Sequence, residues 1–551
     1  MKKDIFVLLL LVFPAIVFSQ SSNTRYWVAF KDKNGSPYTV GNPSQFLSAR
    51  AINRRAMHSY PVTTEDIPVN DSYIAQVKAT GAILINRSRW FNGIVVRITN
   101  PSQVTSINAL SCVQSTKSVA LIKPLSPTVI TTDENSSRKN SSAQTGNRFN
   151  YGNSYGQIHQ LNGECLHNQF YDGTGMQIAE IDDGFNNANT INVFDSLWAQ
   201  NRVISKHNFF NGDTSANLFA IGGHGTSVLS CMAAFNSGNF IGTAPYAKYY
   251  LLRSEVDSSE QIMEEYSWVS AIEYADSAGA DVATSSLGYT AFDDTTQSHT
   301  WADLTGRVSV ASTSATMAAR RGMIVCVAAG NEGLNAWQKI SVPSDADSII
   351  TVGAVDNAGN KADFSSVGNS ADGRIKPDVM AWGKNSTIVS SNSGNVITGS
   401  GTSFATPILA GMVACLWQGN PTKKNMEVIA AIKQSASQFA TPDSLMGYGI
   451  PDFCVADQIL KSNFATQVYL PPSIGENQSS VIISGANNLH LTVEMFDVTG
   501  RLIASGPAKI LKDNGVKQAV EIPNATTLPT GIYLVKISSD DGRHWVTKLL
   551  R

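Results

Sequence analysis

Four short stretches of this 551-residue chain combine residue types that can work on a carbonyl group. In MQIAEIDDGF (176–185) a run with the texture of a buried strand ends at Asp182, and Gly184 allows a sharp turn after it. A carboxylate at the C-terminal end of a parallel strand stands where open α/β sheets bind their ligands. In GGHGTSV (222–228) His224 sits between glycines at the start of a helical segment. In IVCVAAGNEG (324–333) a second buried strand delivers Asn331 into a Gly-flanked loop. In GSGTSFATPILAG (399–411) Ser403 opens a helix of small residues, where unpaired backbone N–H groups and the helix dipole favour negative charge. Singly, each has a plainer explanation. A strand-end Asp or a Gly-Thr-Ser run often only caps a helix, and Asn-Glu-Gly often makes a turn. Together they supply a carboxylate to orient a base, the base itself, an oxyanion donor and a nucleophile.

These residues need a rigid frame. Residues 151–462 alternate apolar strand runs (Met176–Ile181, Met323–Ala328, Ile349–Val355) with helices of small residues. Unalternated β-rich runs between helices predict an α/β fold, a parallel sheet with helices on both faces. Before it, residues 24–130 mix strand patterns (Tyr26–Phe30, Ile83–Ile98, Val119–Ile122) with a helical stretch over 45–58, a small two-layer α+β unit. Residues 131–150 are Ser/Asn/Thr-rich, a linker open to proteolysis. From about 466 short alternating strands punctuated by turns (Leu491–Phe496, Ala519–Ile522, Ile532–Ile537, His544–Leu549) predict a small all-β sandwich.

Apolar residues make up 42% and charged residues 15%, which excludes a disordered chain. A net charge of -2 excludes a globally basic nucleic-acid binder. The charge is uneven. Residues 24–130 carry twelve Lys/Arg against four Asp/Glu, so the rest is acidic, and docking of the two by complementary charge is expected. Lys2 and Lys3 followed by the apolar run Ile5–Phe18 read as a signal peptide cut near Ser19/Gln20. That run is short of the ~20 residues a membrane span needs. Six cysteines exclude a disulfide-built scaffold. Cys231, Cys326 and Cys415 read as buried free thiols, and at least one thiol of the mature protein should be unpaired.

The four motifs, in the order Asp, His, Asn, Ser, resemble the subtilisin-like serine protease family over roughly 150–460. GTAP (242–245), Ser286-Leu287-Gly288, TVGAVD (351–356), RIKPDV (374–379) and GYGIPD (447–452) add to the likeness. The resemblance implies Ser403 as nucleophile, His224 as general base, Asp182 as its orienting carboxylate and Asn331 as oxyanion donor. It further implies that Ser286, Leu287 and Gly288 pair with substrate backbone, while Ala328, Ala329 and Gly330 line the pocket for the residue before the cut. Asp183 departs from the family's usual Ser or Thr. Strand alternation lets only one of the adjacent carboxylates face His224, and the spacing to Gly184 selects Asp182. Ser227 and Ile408 also stand where relatives often differ, outside the triad. Glu180 is out of place in a buried strand, and a partner or strand-edge exposure is expected for it.

The flanks carry resemblances of their own. YWVAFKDK, FLSARAINRR and SRWFNGIVV are similar to inhibitor-type propeptides of secreted subtilases from Bacteroidetes. VEMFDVTGRLIASG, LPTGIYLVKI and VTKLLR resemble the C-terminal sorting domain of the type IX secretion system, although YLPP (469–472) replaces the usual Tyr-Pro-Asn-Pro. The implied organisation is a signal peptide (1–19), a propeptide (22–145), a peptidase domain (146–463) and a sorting domain (466–551). The implied partners are protein or peptide substrates, the chain's own propeptide as inhibitor and the type IX machinery. The implied destination is the cell surface or medium, reached through the periplasm. No cofactor is required for this chemistry. Structural calcium is compatible with the resemblance, with no ligands nameable. The competing class is a protease-fold adhesin without activity, which loss of a site residue would favour; all four are present.

Overall fold

The structure, a computed structural model, describes residues 24–120, 146–461 and 480–550, apart from short stretches at 211, 213–216, 257–258, 485–489, 498–499, 514–516, 523, 525–526, 530 and 541–543. The expected signal peptide, most of the linker and YLPP fall outside the described residues. Contacts divide the chain into two units, 1–456 and 457–551.

The leading part of the first unit runs β1 (Thr24–Phe30), α1 (Ala49–His58), α2 (Asp71–Ala79), β2 (Ile83–Ser88), β3 (Gly93–Ile98), α3 (Ser102–Asn108) and β4 (Val113–Ala120). The strands form an antiparallel sheet in the order β2-β3-β1-β4. The closing strand therefore begins six residues before the apolar patch Val119–Ile122, because Gln114–Ser118 are polar on a half-exposed strand. Period-two alternation sorts β1 between two cores. Val28 and Phe30 pack with Ile74, Val77, Ile94 and Ile107 inside the leading domain. Trp27 joins Trp90 and Val95 in the core of the following domain.

That following domain contains α4 (Tyr155–His159), α5 (Glu164–Asn168), β5 (Gln177–Asp182), α6 (Asp195–Ala199), β6 (Val203–Asn208), α7 (His224–Ala233), β7 (Phe235–Asn236), β8 (Phe240–Ile241), β9 (Lys248–Arg253), α8 (Met263–Ala278), β10 (Val282–Ser285), α9 (Val310–Ala319), β11 (Ile324–Ala328), β12 (Ile350–Val355), β13 (Val379–Trp382), β14 (Ser386–Val389), β15 (Val396–Gly399), α10 (Thr402–Gly419), α11 (Asn425–Gln434) and α12 (Phe453–Lys461). Seven strands make one parallel sheet, β13-β12-β11-β10-β5-β9-β6. Helices α8 and α9 cover one face, and α7 and α10 the other. Thr402 to Trp417 of α10 is buried on every side, which is why that segment is apolar all round. A disulfide joins Cys165 of α5 to Cys454 of α12. Cys231, Cys326 and Cys415 are free and buried, as their settings predict, and so is Cys112.

The charge asymmetry becomes a buried contact. Arg54, Arg55 and Arg89 of the leading domain converge on Asp276 at the end of α8, at 2.5, 2.6 and 2.6 Å. Asp66 in turn takes Arg55 and the peptidase-domain Arg321, each at 2.7 Å. Burial pushes the Asp66 pKa up, but the two guanidinium groups outweigh it and hold the carboxyl below its usual range. Glu273 accepts from Ser88 Oγ (2.5 Å) and from the backbone N–H of Arg89 (2.8 Å).

The second unit holds β16 (Ser480–Ser484), β17 (Leu491–Asp497), β18 (Leu502–Pro507), β19 (Ile510–Asp513), β20 (Lys517–Glu521), β21 (Ile532–Ser539) and β22 (His544–Leu550). They form antiparallel sheets β16-β20-β19 and β18-β17-β21-β22. Val493, Met495, Val520, Val535 and Ile537 share the core, which the alternation predicts.

Candidate active site

The candidate residues gather at the C-terminal edge of the parallel sheet. β5 delivers Asp182, whose Oδ1 lies 2.7 Å from His224 Nδ1 at the first position of α7. Gly225 makes that approach possible. A Cβ there would come within 2.3 Å of the Gly184 carbonyl oxygen and 3.0 Å of Asp182 Cβ. With Nδ1 engaged by the carboxylate, Nε2 is the imidazole nitrogen left to move a proton. The His224 side chain is about a third exposed, so solvent and a substrate can reach it.

Asp183 does something different. Its Oδ1 accepts from Gly225 N (3.0 Å) and its Oδ2 from His224 N (3.4 Å). The first turn of α7 has no cap of its own, since its N-cap is Gly223, and Asp183 fills that place. Asp182 meets the His224 ring nitrogen, while Asp183 holds the backbone at the start of the same helix. Glu180 departs from expectation. It lies in a central strand, is fully buried, and both carboxyl oxygens lack a hydrogen-bond partner. The i, i+2 spacing that turns Asp182 toward α7 turns Glu180 inward beneath the same helix.

Ser403 is the second residue of α10 and is buried to 7% exposure. Pro407 stands four residues on and has no N–H, so the Ser403 carbonyl is left without its helical donor. Ser286 Oγ donates to it at 2.8 Å, and Ser403 Oγ donates to the Ser286 carbonyl at 3.3 Å. The chain leaving β10 is thereby laced to the start of α10.

Gly401 gives α10 no side-chain cap, and Asn331 supplies one from the end of β11. Its Oδ1 accepts from Thr402 N (2.9 Å) and Thr402 Oγ1 (3.0 Å). This pairing sets the amide orientation and turns Nδ2 the other way. A Cβ on Gly401 would lie 3.6 Å from Ser403 N and 3.8 Å from Asn331 Nδ2. Two N–H donors thus flank one spot that glycine leaves open.

Ser286–Gly288 follow β10, and Ala328–Gly330 end and follow β11, the neighbouring strand. The two segments converge on Ser341, a residue in no recognisable motif. A Cβ on Gly288 would lie 2.1 Å from Ser341 Oγ, and one on Gly330 (φ +108°) 3.2 Å from it. Nothing short of the folded chain could have revealed Ser341. Phe404, whose ring centroid is 6.1 Å from that of His224, sits inside the GTSFATP stretch and was findable there. The last described strand of the leading domain meets the peptidase domain, where Val119 and Ala120 line a cavity of about 290 Å³ with Gln261, Ile262 and Phe292.

The family models agree with this arrangement. Residues 173–449 match the subtilase family, residues 25–140 the peptidase S8 propeptide domain of Bacteroidota, and residues 477–550 a secretion system C-terminal sorting domain. Subtilisin NAT from Bacillus subtilis subsp. natto is 32% identical over 286 residues, which cover 51% of this chain and 65% of that protein. Subtilisin from Bacillus pumilus is 32% identical over 286 residues, 51% of this chain and 90% of the relative. Subtilisin Savinase from Lederbergia lenta is 28% identical over 295 residues, 53% and 94% of the two chains. The sorting-domain match marks the chain for secretion to the cell surface or beyond it, and no helix among the described residues is long and apolar enough to cross a membrane. The subtilase match covers half of the sequence and includes all four motif residues, and the chain belongs to the subtilase family.

Proposed function

We propose that the chain is a secreted serine endopeptidase that is made as a zymogen. The observation that carries this reading is the 2.7 Å pair of Asp182 and His224 on the sheet edge where Ser403 opens α10. A neutral serine hydroxyl is a weak nucleophile. His224 Nε2 takes the Ser403 proton as Oγ attacks the scissile carbonyl, and Asp182 stabilises the imidazolium that forms. The carbonyl oxygen becomes an oxyanion between Asn331 Nδ2 and Ser403 N–H, donors placed before the charge develops. Collapse of the tetrahedral intermediate expels the amine, which takes its proton from His224 and leaves an acyl-Ser403. Water, deprotonated by the same imidazole, then releases the acid. Ser286–Gly288 hold the substrate backbone as an added strand, and Ala328–Gly330 line the pocket for the residue before the cut.

The leading domain is the inhibitor in this reading. It is docked through the Asp276 and Asp66 ion pairs, and its last described strand lines a cavity with Gln261, Ile262 and Phe292 of the peptidase domain. Casein turnover with and without a serine-directed fluorophosphonate tests the activity. Ser403→Ala should lose both turnover and labelling while its circular dichroism stays that of wild type. Residual turnover above about a thousandth of wild type would remove Ser403 from the nucleophile's role.

A further inference from the structure

Glu180 is a buried ionisable group beside the site that the mechanism above leaves unused. Alternation along β5 turns Ala179 and Ile181 toward the core under α8 and turns Glu180 with Asp182 toward α7. Parallel register sets Thr284 of β10 beside Glu180 on the same face. Thr284 Oγ1 is buried without a partner, and so is Asp182 Oδ2, the carboxylate oxygen that His224 does not use. A carboxyl group, a hydroxyl and a carboxylate oxygen, all unpaired, thus share one face of two adjacent strands. Buried polar atoms in folded proteins are rarely left so, and each such atom calls for an explanation.

No cation offsets Glu180. The ionisable groups that bear on it are Asp182, Asp183, the Cys231 thiol on α7 and the Tyr249 phenol on β9. Helix α10, which covers the same face, contains no Asp, Glu, Lys, Arg or His. Burial first, then Asp182 and Asp183, push the Glu180 carboxyl well above the ordinary range and so favour its protonated form. A protonated carboxyl carries the donor that Asp182 Oδ2 lacks.

We propose that Glu180 is a positioning residue, a neutral carboxylic acid that donates its hydroxyl hydrogen toward Oδ2 of Asp182 and so holds the carboxylate that orients His224. The proposal rests on the reading of Asp182 and His224 given above. Neutrality is the point of the device. A second negative charge behind Asp182 would raise the basicity of His224, whereas a neutral donor fixes Asp182 and tempers its charge.

The test compares the pH dependence of kcat/KM for a peptide anilide in wild type, Glu180→Gln and Glu180→Val, together with infrared difference spectra of wild type against Glu180→Gln. Glutamine keeps a donor, so Glu180→Gln should keep its kcat near the wild-type value and its acid limb unmoved. Valine removes the donor. It should lower kcat about tenfold with KM unchanged, at the low end of what loss of an orienting hydrogen bond costs. Its acid limb should move to higher pH, because a less hydrogen-bonded Asp182 favours the imidazolium. Wild type should show the carbonyl stretch of a protonated carboxyl at neutral pH that Glu180→Gln lacks. An acid limb shifted down in Glu180→Gln, a missing infrared band, or a Glu180→Val enzyme identical to wild type would each overturn the proposal. If valine prevents folding, the Glu180→Gln limb and the infrared band still decide. A wild-type protein that cleaves no peptide would defeat the peptidase reading instead, and the infrared band would still report on Glu180.

Discussion

Asp276 and Glu180 are both carboxyl groups buried in the same domain, and they solve burial in opposite ways. Asp276 collects three guanidinium groups, all from the leading domain. Glu180 has no cation near it and gives up its charge. The difference follows from what covers each. Asp276 lies under a domain that can leave, and on its departure water replaces the arginines, so its charge is tolerable in both states. Glu180 lies under α7 and α10, which never leave, and no water of the bulk can reach it. A buried carboxylate paired across a removable interface measures the docking of two domains, while one sealed in the core must be neutral.

The sharpest way to break this contrast is at the end of β5. Asp182→Asn should lower kcat by about ten-thousandfold, because the amide leaves His224 with the wrong tautomer. Asp183→Asn should keep most activity and cost about 1 kcal/mol of stability through the weakened cap of α7, read by thermal unfolding. Equal activity losses would mean that the two carboxylates are not divided as their hydrogen bonds suggest. Next in size is the interface. Asp276→Ala should leave the mature enzyme's kcat/KM unchanged but weaken inhibition by the added leading domain. Breaking a buried ion pair costs about 3–5 kcal/mol, or roughly 10²–10⁴ in the inhibition constant. An unchanged constant would make the arginine cluster ornamental.

Acid should loosen the same contact. The Asp66 carboxyl is held below its usual range by Arg55 of its own domain and by Arg321 across the contact, and the part that Arg321 adds to docking is present above a pKa of about 4 and is lost as pH falls through the docked value. Dissociation measured by gel filtration should therefore increase below about pH 4, and Asp66→Asn should flatten that dependence. The smallest effect is on Glu180. Its raised pKa means that stability is full below the unfolded value and declines as pH rises toward the folded one. Glu180→Gln should raise the melting temperature at neutral and alkaline pH by roughly 2–4 °C, the shift that 1 kcal/mol makes in a domain of this size, and change nothing in acid.

Much of this was legible in the chain. Asp182, His224, Asn331 and Ser403 could be picked out as candidates because, although a cap or a turn explains each stretch singly, the four together supply complementary chemical roles in series. The parallel sheet followed from its unalternated apolar runs. What escaped was nonlocal. Helices α2 and α3 carry weak patterns that only the sheet beneath them organises. Ser341 meets Gly288 and Gly330 through folding alone. Glu180 was visible as an anomaly, but its solution was not, since a partner or strand-edge exposure suits an isolated acidic residue better than a neutral one in the core does. The pairing of Cys165 with Cys454 spans 289 residues, and no spacing rule reaches that far.

That bond encloses Asp182, His224, Asn331 and Ser403 in one covalent ring. A chain opened once anywhere inside the ring keeps both pieces on a single molecule, with the sheet that holds the site still assembled. For a peptidase surrounded by copies of itself, a first nick then becomes a wound that is carried rather than a fragment that is shed. The same sample would run as one band without reductant and as two with it.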